Sequence, residues 1–145
     1  MTKKRWLLAS LLLVTVLFSA CSAQTAGNPA SGEAYTVTDA LGREVAFEQP
    51  PERIVLVGKM LFAVADALYL FPDVSSRIAA IGNTEQGGGN FIALIDPDYE
   101  AKAVLGTEAG AEQVAAFEPD AVILKSYLAQ GLGASIEALG IPVVY

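Results

Sequence analysis

The chain has 145 residues, of which 53% are hydrophobic, and its nine basic and sixteen acidic side chains give a formal net charge of −7. Such an acidic surface repels phosphates, which argues against DNA or RNA as a partner. The sequence contains no histidine. Since histidine is the commonest general base and soft-metal ligand, its absence excludes most zinc-hydrolase and Ser-His-Asp schemes within these residues.

The first twenty residues have the pattern of an export signal. Residues 3–5 are basic, the run from Trp6 to Phe18 is apolar, and small residues precede Cys21, the single cysteine. This apolar run of thirteen residues is shorter than the roughly 20 that a membrane-spanning helix needs. The segment Leu17–Cys21 resembles a bacterial lipobox, in which the cysteine is lipidated and becomes the new N-terminus. An ordinary signal peptide with a stray cysteine is the alternative.

Three regions follow from this interpretation: a lipoprotein signal peptide over 1–20, a flexible tether over 21–34 and a folded lobe over 35–145. The tether is rich in small residues, glycine and proline, and has little to bury. Without the signal, six basic side chains face sixteen acidic ones, for a net charge of about −10.

A β-hairpin is predicted directly after the tether. Tyr35–Thr38 and Glu44–Phe47 alternate apolar and polar residues, and Asp39–Arg43 provides a turn longer than two residues. Pro50-Pro51 ends the second strand, because proline has no N–H to donate to a β-ladder.

Short apolar strands then alternate with helices. Strands are predicted over 54–57, 78–81, 121–124 and 143–145, and helices over 60–71, 91–95, 112–117 and around the stripe Leu132, Ile136 and Leu139, with Gly140 as its cap. The helix over 60–71 is expected to be buried, and Asp66 is its only charge. The alternation predicts an α/β fold with a parallel, Rossmann-like sheet and right-handed crossovers.

The sequence ends at Tyr145, inside the fourth predicted strand. A strand of a parallel sheet is normally followed by a connection that covers the sheet. We therefore expect the chain to be a fragment or the front half of a larger product.

Polar loops follow three of the predicted strands. Ligands of open parallel sheets bind beyond the carboxyl ends of the strands. The candidate ligand-binding residues there are Lys59, Met60, Asn83, Thr84, Lys125, Ser126 and Tyr127. This set suits an anionic or oxygen-rich ligand, with ordinary solvated loop residues as the alternative. No catalytic residue, metal ligand or cofactor is predicted.

Two stretches between these loops have competing interpretations. Gln86–Asn90 is either a mobile loop at the mouth of a cleft or, more simply, a surface loop. Asp96, Asp98 and Glu100 alternate as calcium ligands do, but the glycine and distal glutamate of an EF-hand loop are missing, so a solvated acidic turn is expected.

Four segments together resemble the N-terminal lobe of the substrate-binding proteins of bacterial ABC importers. The similar group has a rigid helical backbone between its lobes and takes up iron–siderophore complexes, haem and cobalamin. The segments are Val37–Val45, Pro50–Val55, Phe117–Ile123 and Leu139–Val144. The resemblance implies the first lobe of a two-lobe binding protein, with an ABC permease and ATPase as partners and a lipid anchor outside the cytoplasmic membrane.

Three functions follow from these observations. The leading hypothesis is a non-enzymatic, membrane-anchored lipoprotein that captures a metal chelate for import. The family's linking helix and second lobe are missing from this sequence, so we expect the chain alone to hold ligand weakly. An exported α/β enzyme is the second hypothesis, and the absence of histidine and of a Gly-x-Ser-x-Gly motif counts against it. The third is a truncated adaptor or structural lipoprotein that uses the lobe as a protein-contact surface.

Overall fold

A computed structural model describes residues 34–145. The predicted signal peptide over 1–20, Cys21 and all but the last residue of the predicted tether lie outside the described residues, so these boundaries and the lipidation stay predictions. Within residues 34–145, no helix has the length and apolar character needed to cross a membrane.

The predicted hairpin is present. Its strands β1 (Tyr35–Thr38) and β2 (Glu44–Phe47) pair antiparallel, with Tyr35 opposite Phe47. The rings of this pair stack with their centroids 5.5 Å apart, a favourable arrangement for facing aromatic side chains. In the turn, the Asp39 carboxylate accepts hydrogen bonds from backbone N–H groups of the same turn at 2.9 and 3.0 Å.

A five-stranded parallel sheet forms the body of the lobe. Its strands are β3 (Ile54–Leu56), β4 (Ile78–Gly82), β5 (Ala103–Leu105), β6 (Ala121–Ile123) and β7 (Val143–Val144). They lie in the order β5-β4-β3-β6-β7, and every neighbouring pair is parallel. The predicted α/β fold with a parallel sheet is therefore confirmed.

Strand β5 is missing from the sequence-based prediction, which left residues 83–110 without a strand. It has three residues and lies at an edge of the sheet, where Val104 is 61% exposed. Strands buried on both faces are recognised by a continuous apolar run. The apolar run of β5, Ala103–Leu105, has only three residues and is too short to distinguish a strand from a loop.

Short helices connect the strands. They are α1 (Phe62–Leu68), α2 (Val74–Arg77), α3 (Phe91–Ile95), α4 (Ala111–Ala115) and α5 (Ala134–Glu137), with 3₁₀ turns at Tyr99–Ala101 and Ser126–Leu128 and a π-helical turn at Ala129–Gly133. The buried helix predicted over 60–71 is wrong in its extent. Met60 has a φ of 56°, which is not helical, and Leu70 and Phe71 beyond α1 are 83% and 66% exposed.

The last helix follows the predicted pattern in part. Ile136 is fully buried, but Leu139, at the end of the predicted stripe, is 50% exposed. Gly140 has a φ of 79°, the left-handed conformation that commonly follows a helix end. Gly140 thus ends the helical stretch as expected but lies two residues beyond the C-cap residue Ala138, and the apolar stripe is shorter than expected.

Both faces of the sheet are covered by apolar side chains. Val55 of β3 belongs to one core cluster, with Val114 of α4, and the next residue, Leu56, belongs to the other, with Ile92 of α3. All four are fully buried. Successive side chains of a strand point to opposite faces, so β3, at the centre of the sheet, contributes to both clusters.

Arg43 fastens the hairpin to β7. Its guanidinium donates hydrogen bonds to Asp39 Oδ2 at 2.9 Å, to Glu137 Oε1 at 2.6 Å and to the Val143 carbonyl oxygen at 2.9 Å. The same group lies 4.4 Å above the centre of the Tyr145 ring. The Asp-Ala-Leu-Gly-Arg segment, part of the family resemblance, therefore joins the hairpin to the sheet.

A second set of contacts joins β3 to β6 at their amino ends. Asp120 Oδ2 accepts hydrogen bonds from the backbone N–H groups of Glu52 and Arg53 at 2.9 and 3.0 Å. The Arg53 guanidinium in turn donates to the Phe117 carbonyl oxygen at 2.6 Å. Two more segments of the resemblance thus contact each other, and they do so at the end of the sheet opposite to the predicted ligand-binding residues.

Candidate functional site

The order of the strands reverses between β3 and β6. The chain runs from β3 to β4 and β5 on one side, and then continues with β6 and β7 on the other side of β3. Ligands of open α/β sheets bind outside the carboxyl ends at such a switch point. The loops that follow β3 and β6 contain five of the predicted ligand-binding residues, which we call the rim: Lys59, Met60, Lys125, Ser126 and Tyr127.

The two loops of the rim contact each other. The Tyr127 hydroxyl approaches the carbonyl oxygen of Lys59 to 3.5 Å, a long hydrogen bond. Met60 and Tyr127 are 66% and 62% exposed. The rim therefore presents a thioether and a phenol ring to solvent in addition to its polar groups. The structure therefore brings the residues of these two loops together, as the position of their strands predicts.

The two lysines of the rim have different surroundings. Lys59 Nζ forms an ion pair with Glu108 Oε1 at 2.5 Å, and the hydrogen bond to Glu108 raises the pKa of Lys59. Both side chains are more than half exposed, and exposed ion pairs contribute little to stability. Lys125 Nζ lies 6.0 Å from the centre of the Phe62 ring, within the range of a weak cation–π contact. An anionic group of a ligand can therefore compete with Glu108 for Lys59 and with the Phe62 ring for Lys125.

The loop after β4 contributes the other two predicted residues. Asn83 is exposed, and its Oδ1 accepts a hydrogen bond from the backbone N–H of Glu85 at 2.8 Å. Thr84 is only 3% exposed, and its hydroxyl donates to Asn90 Oδ1 at 3.0 Å. Thr84 is therefore buried, unlike the exposed residues of the rim. The roles of all seven residues in ligand binding stay predictions.

A cavity of about 230 Å³ lies beside the loop after β4. It is lined by Phe62, Asp66, Thr84, Gln86, Gly89, Asn90, Phe91 and Leu94. Phe62 connects it to the rim, since its ring also neighbours Lys125. Sequence reasoning did not predict this cavity, because it depends on how α1 and α3 lie against the loop. The isolated charge of Asp66 within an apolar segment was the one signal that pointed to it.

The glycine-rich stretch at the cavity has a defined turn. Backbone hydrogen bonds in both directions join Gln86 and Gly89 at 2.8 and 3.0 Å. Between them, Gly87 and Gly88 have φ angles of 59° and 84°, as in a type I′ turn. Residues other than glycine rarely adopt two such angles in succession. The stretch is therefore a tight surface turn that also borders the cavity.

The acidic segment after α3 differs from the expected solvated turn. Asp96 is 4% exposed and accepts hydrogen bonds from the hydroxyls of Tyr69 at 2.6 Å and Ser75 at 2.7 Å. Lys102 Nζ lies 3.2 Å from the same carboxylate. Burial favours a higher pKa for Asp96, but these hydrogen bonds outweigh it and lower the pKa to about 2. For Asp96 the expectation is wrong, because its partners lie on other segments.

Metal binding by clustered side chains is not indicated in this part of the molecule. Among residues 34–145, no group of three or more aspartate, glutamate, cysteine or histidine side chains has an arrangement that fits a metal ion.

Gly58 determines the close approach of the two rim loops. It has a φ of 120°, and a Cβ atom there would lie 2.8 Å from Leu128 Cδ1. We expect Gly58→Ala to lower the free energy of unfolding by about 1–3 kcal/mol, because alanine is strained at this φ. Gly106→Ala is the control, since a Cβ there has no neighbour within 4 Å and its φ is outside the strained range. Equal effects of the two variants in urea denaturation would contradict this explanation.

Comparison with known proteins adds to this geometry. No protein-family model and no curated protein sequence matches the chain. Among solved structures, the TroA-like periplasmic binding protein FepB from Veillonella parvula matches over 76% of this chain, with 27% sequence identity and a TM-score of 0.58. The chain has the fold of one lobe of a TroA-like periplasmic binding protein. The resemblance predicted from the sequence is confirmed.

Two further structures share the TroA-like fold. The ABC-type Fe3+-hydroxamate transport system protein from Saccharomonospora viridis has 25% identity and a TM-score of 0.52 over 76% of this chain. The periplasmic catecholate-siderophore binding protein VctP from Vibrio cholerae has 22% identity and a TM-score of 0.53 over 77% of the chain, and supports the fold alone. The TroA-like lobe spans 36%, 38% and 37% of the length of these three proteins.

Proposed function

We propose that the chain is a solute-binding component of an ABC importer, which captures a metal chelate of the iron–siderophore, haem or cobalamin class outside the cytoplasmic membrane. One observation carries the proposal. In a lobe with the TroA-like fold, the rim assembles at the switch point between β3 and β6, where ligands of such sheets bind.

The chemistry of the rim supports a chelate as the ligand. Lys59 and Lys125 offer ammonium groups to anionic or oxygen-rich faces through charge-assisted hydrogen bonds. Met60 and Tyr127, both largely exposed, offer polarizable and aromatic surface to the organic part of the same molecule. A ligand that is both oxygen-rich and partly apolar satisfies both kinds of group.

A binding role fits these side chains better than catalysis. General acid–base catalysis needs a group whose pKa lies near the working pH. The rim consists of two lysines, a thioether, a hydroxyl and a phenol, and the pKa of Lys59 is raised rather than lowered. The proposal therefore describes a non-enzymatic protein. The anchor at Cys21 is proposed from the lipobox-like segment, and the permease and ATPase partners are proposed from the family resemblance.

Calorimetric titration of the full chain with ferric siderophores, haem and cobalamin tests the proposal. We expect heat of binding with at least one of the three classes. Lys125→Gln and Tyr127→Ala should each weaken that binding by about tenfold, the effect of one lost charge-assisted bond or aromatic contact.

Glu112→Gln on α4 is the control for the titration. It also changes the net charge by one, but it lies away from both rim loops in sequence and on an exposed helix surface. Its affinity should equal that of the unaltered chain. No heat with any of the three classes, or equal affinities for all variants, would rule out the proposed site.

A further inference from the structure

Asp66 differs from the buried and structural carboxylates of the lobe. Asp39, Asp96 and Asp120 each accept several hydrogen bonds from neighbouring groups. Asp66 is half-buried in the cavity wall, yet within residues 34–145 its carboxylate takes part in none of the hydrogen bonds or ion pairs described above. Of the residues in the described part of the chain that line the cavity, it is the only charged one. Its acceptor capacity is therefore available to a ligand.

Two other polar side chains of the cavity wall, Thr84 and Asn90, already have hydrogen-bond partners. Thr84 donates to Asn90 Oδ1, and Asn90 Nδ2 donates to the Tyr99 hydroxyl at 2.8 Å. An ionised carboxylate only accepts hydrogen bonds. The Asp66 carboxylate can therefore bind a hydrogen-bond donor of a ligand. A positively charged donor would form a stronger bond than a neutral one.

Aromatic and apolar side chains line the cavity together with this carboxylate. Phe62, Phe91 and Leu94 are among the residues that line the cavity. Phe91 and Leu94 are 53% and 84% exposed, so they offer apolar area that a ligand would cover. Aromatic faces attract cations. A cavity lined by a carboxylate and two phenyl rings combines the two interactions that hold an organic ammonium group.

We propose that the cavity is a subsite for an organic ammonium group, and that Asp66 is the residue that selects it. The inference rests on the proposed function, since the ammonium group would be an arm of the chelate held at the rim. Lys125 lies 6.0 Å from the centre of the Phe62 ring. A ligand that spans rim and cavity therefore meets a positive charge at the rim and a negative charge in the cavity.

Two matched small probes test the subsite without a chelate. Phenethylammonium and the neutral 2-phenylethanol have the same ring and chain length, and differ in the charge of the head group. We expect phenethylammonium to shift the backbone amide resonances of residues 62, 66, 89 and 91 in the ¹⁵N-labelled full chain. The alcohol should bind about tenfold more weakly, as expected for the loss of one charge-assisted bond.

Two variants distinguish a specific role of Asp66 from an effect of the net charge of the protein. Asp66→Asn should abolish the preference for the ammonium probe, whereas Glu112→Gln, which removes one negative charge elsewhere, should leave it unchanged. Equal binding of both probes, unchanged binding to Asp66→Asn, or no shift with either probe would each overturn the proposal.

A pair of chelates distinguishes failure of the subsite from failure of the proposed function. A ferric linear trihydroxamate with a free terminal amine should bind more tightly than its N-acetylated form, and only the amine form should shift the resonance of residue 66. If both forms bind equally at the rim, the subsite fails and the proposed function stands. If neither chelate binds and phenethylammonium still shifts the cavity resonances, the proposed function fails and the subsite stands.

Discussion

Replacement of Asp96 by asparagine is expected to lower the free energy of unfolding by about 3–5 kcal/mol, the usual cost of removing one partner from a buried ion pair. The Lys102 side chain is only 8% exposed and would keep its charge without the carboxylate. The hydroxyls of Tyr69 and Ser75 would also lose a charged acceptor. Urea denaturation followed by circular dichroism measures the loss, which is a large share of the stability of a small domain.

Asp98→Asn is the matched control for this experiment. Asp98 lies two residues further on and is exposed, so its loss of charge should change the free energy of unfolding by no more than about 0.5 kcal/mol. Similar effects of the two variants would show that the buried pair has no special role.

The stability of the lobe should also depend on pH through Asp96. Its pKa is lowered from 3.8 to about 2, so the folded state holds this proton less tightly than the unfolded state does. The stabilising contribution is complete above about pH 4 and is lost as the pH falls towards 2. In Asp96→Asn this part of the acid-induced loss should be absent.

Replacement of Arg43 by leucine has the second large expected effect, a loss of about 2–3 kcal/mol. Hydrogen bonds to charged groups contribute about 1.5–3 kcal/mol, and Arg43 makes such bonds to Asp39 and Glu137. Burial favours a higher pKa for Asp39, but the hydrogen bonds from Arg43 and from backbone N–H groups hold that pKa below its usual value. Hydrogen exchange should show the loss first in the hairpin, because Arg43 joins it to β7.

Two further variants resolve what Arg43 contributes. Arg43→Lys keeps the charge but not the planar fork, so it should lose about half as much stability as the leucine variant. Glu137→Gln removes only an exposed partner and should cost no more than about 1 kcal/mol. If the lysine variant were as stable as the unaltered chain, charge alone would explain the contact.

Much of the fold could be predicted because its signals are local. The hairpin alternates with period two, and the strands β3, β4, β6 and β7 are apolar runs bounded by glycine or proline. Edge strand β5 is a run of only three apolar residues, which is shorter than the usual sequence signal of a strand. The extent of α1 was overestimated, because its apolar flanking residues, including Leu70 and Phe71, are exposed rather than packed.

The rim could be predicted and the cavity could not, for a related reason. The position of the rim depends only on where strands end and on the rule for open sheets. The cavity depends on the packing of α1 against α3, which brings Asp66 close to Phe91 across a distance of 25 residues in sequence. In the same way, the burial of Asp96 depends on Tyr69 and Lys102, which lie on separate segments.

The contacts of Arg43 and Arg53 have a consequence for how the lobe tolerates changes in its loops. These arginines and their carboxylate partners brace the hairpin and the amino ends of the strands, while the rim is carried by short loops at the carboxyl ends. The stabilising contacts and the proposed ligand-binding loops thus involve different residues. We therefore expect the rim loops to accept changes of sequence and length without loss of these contacts.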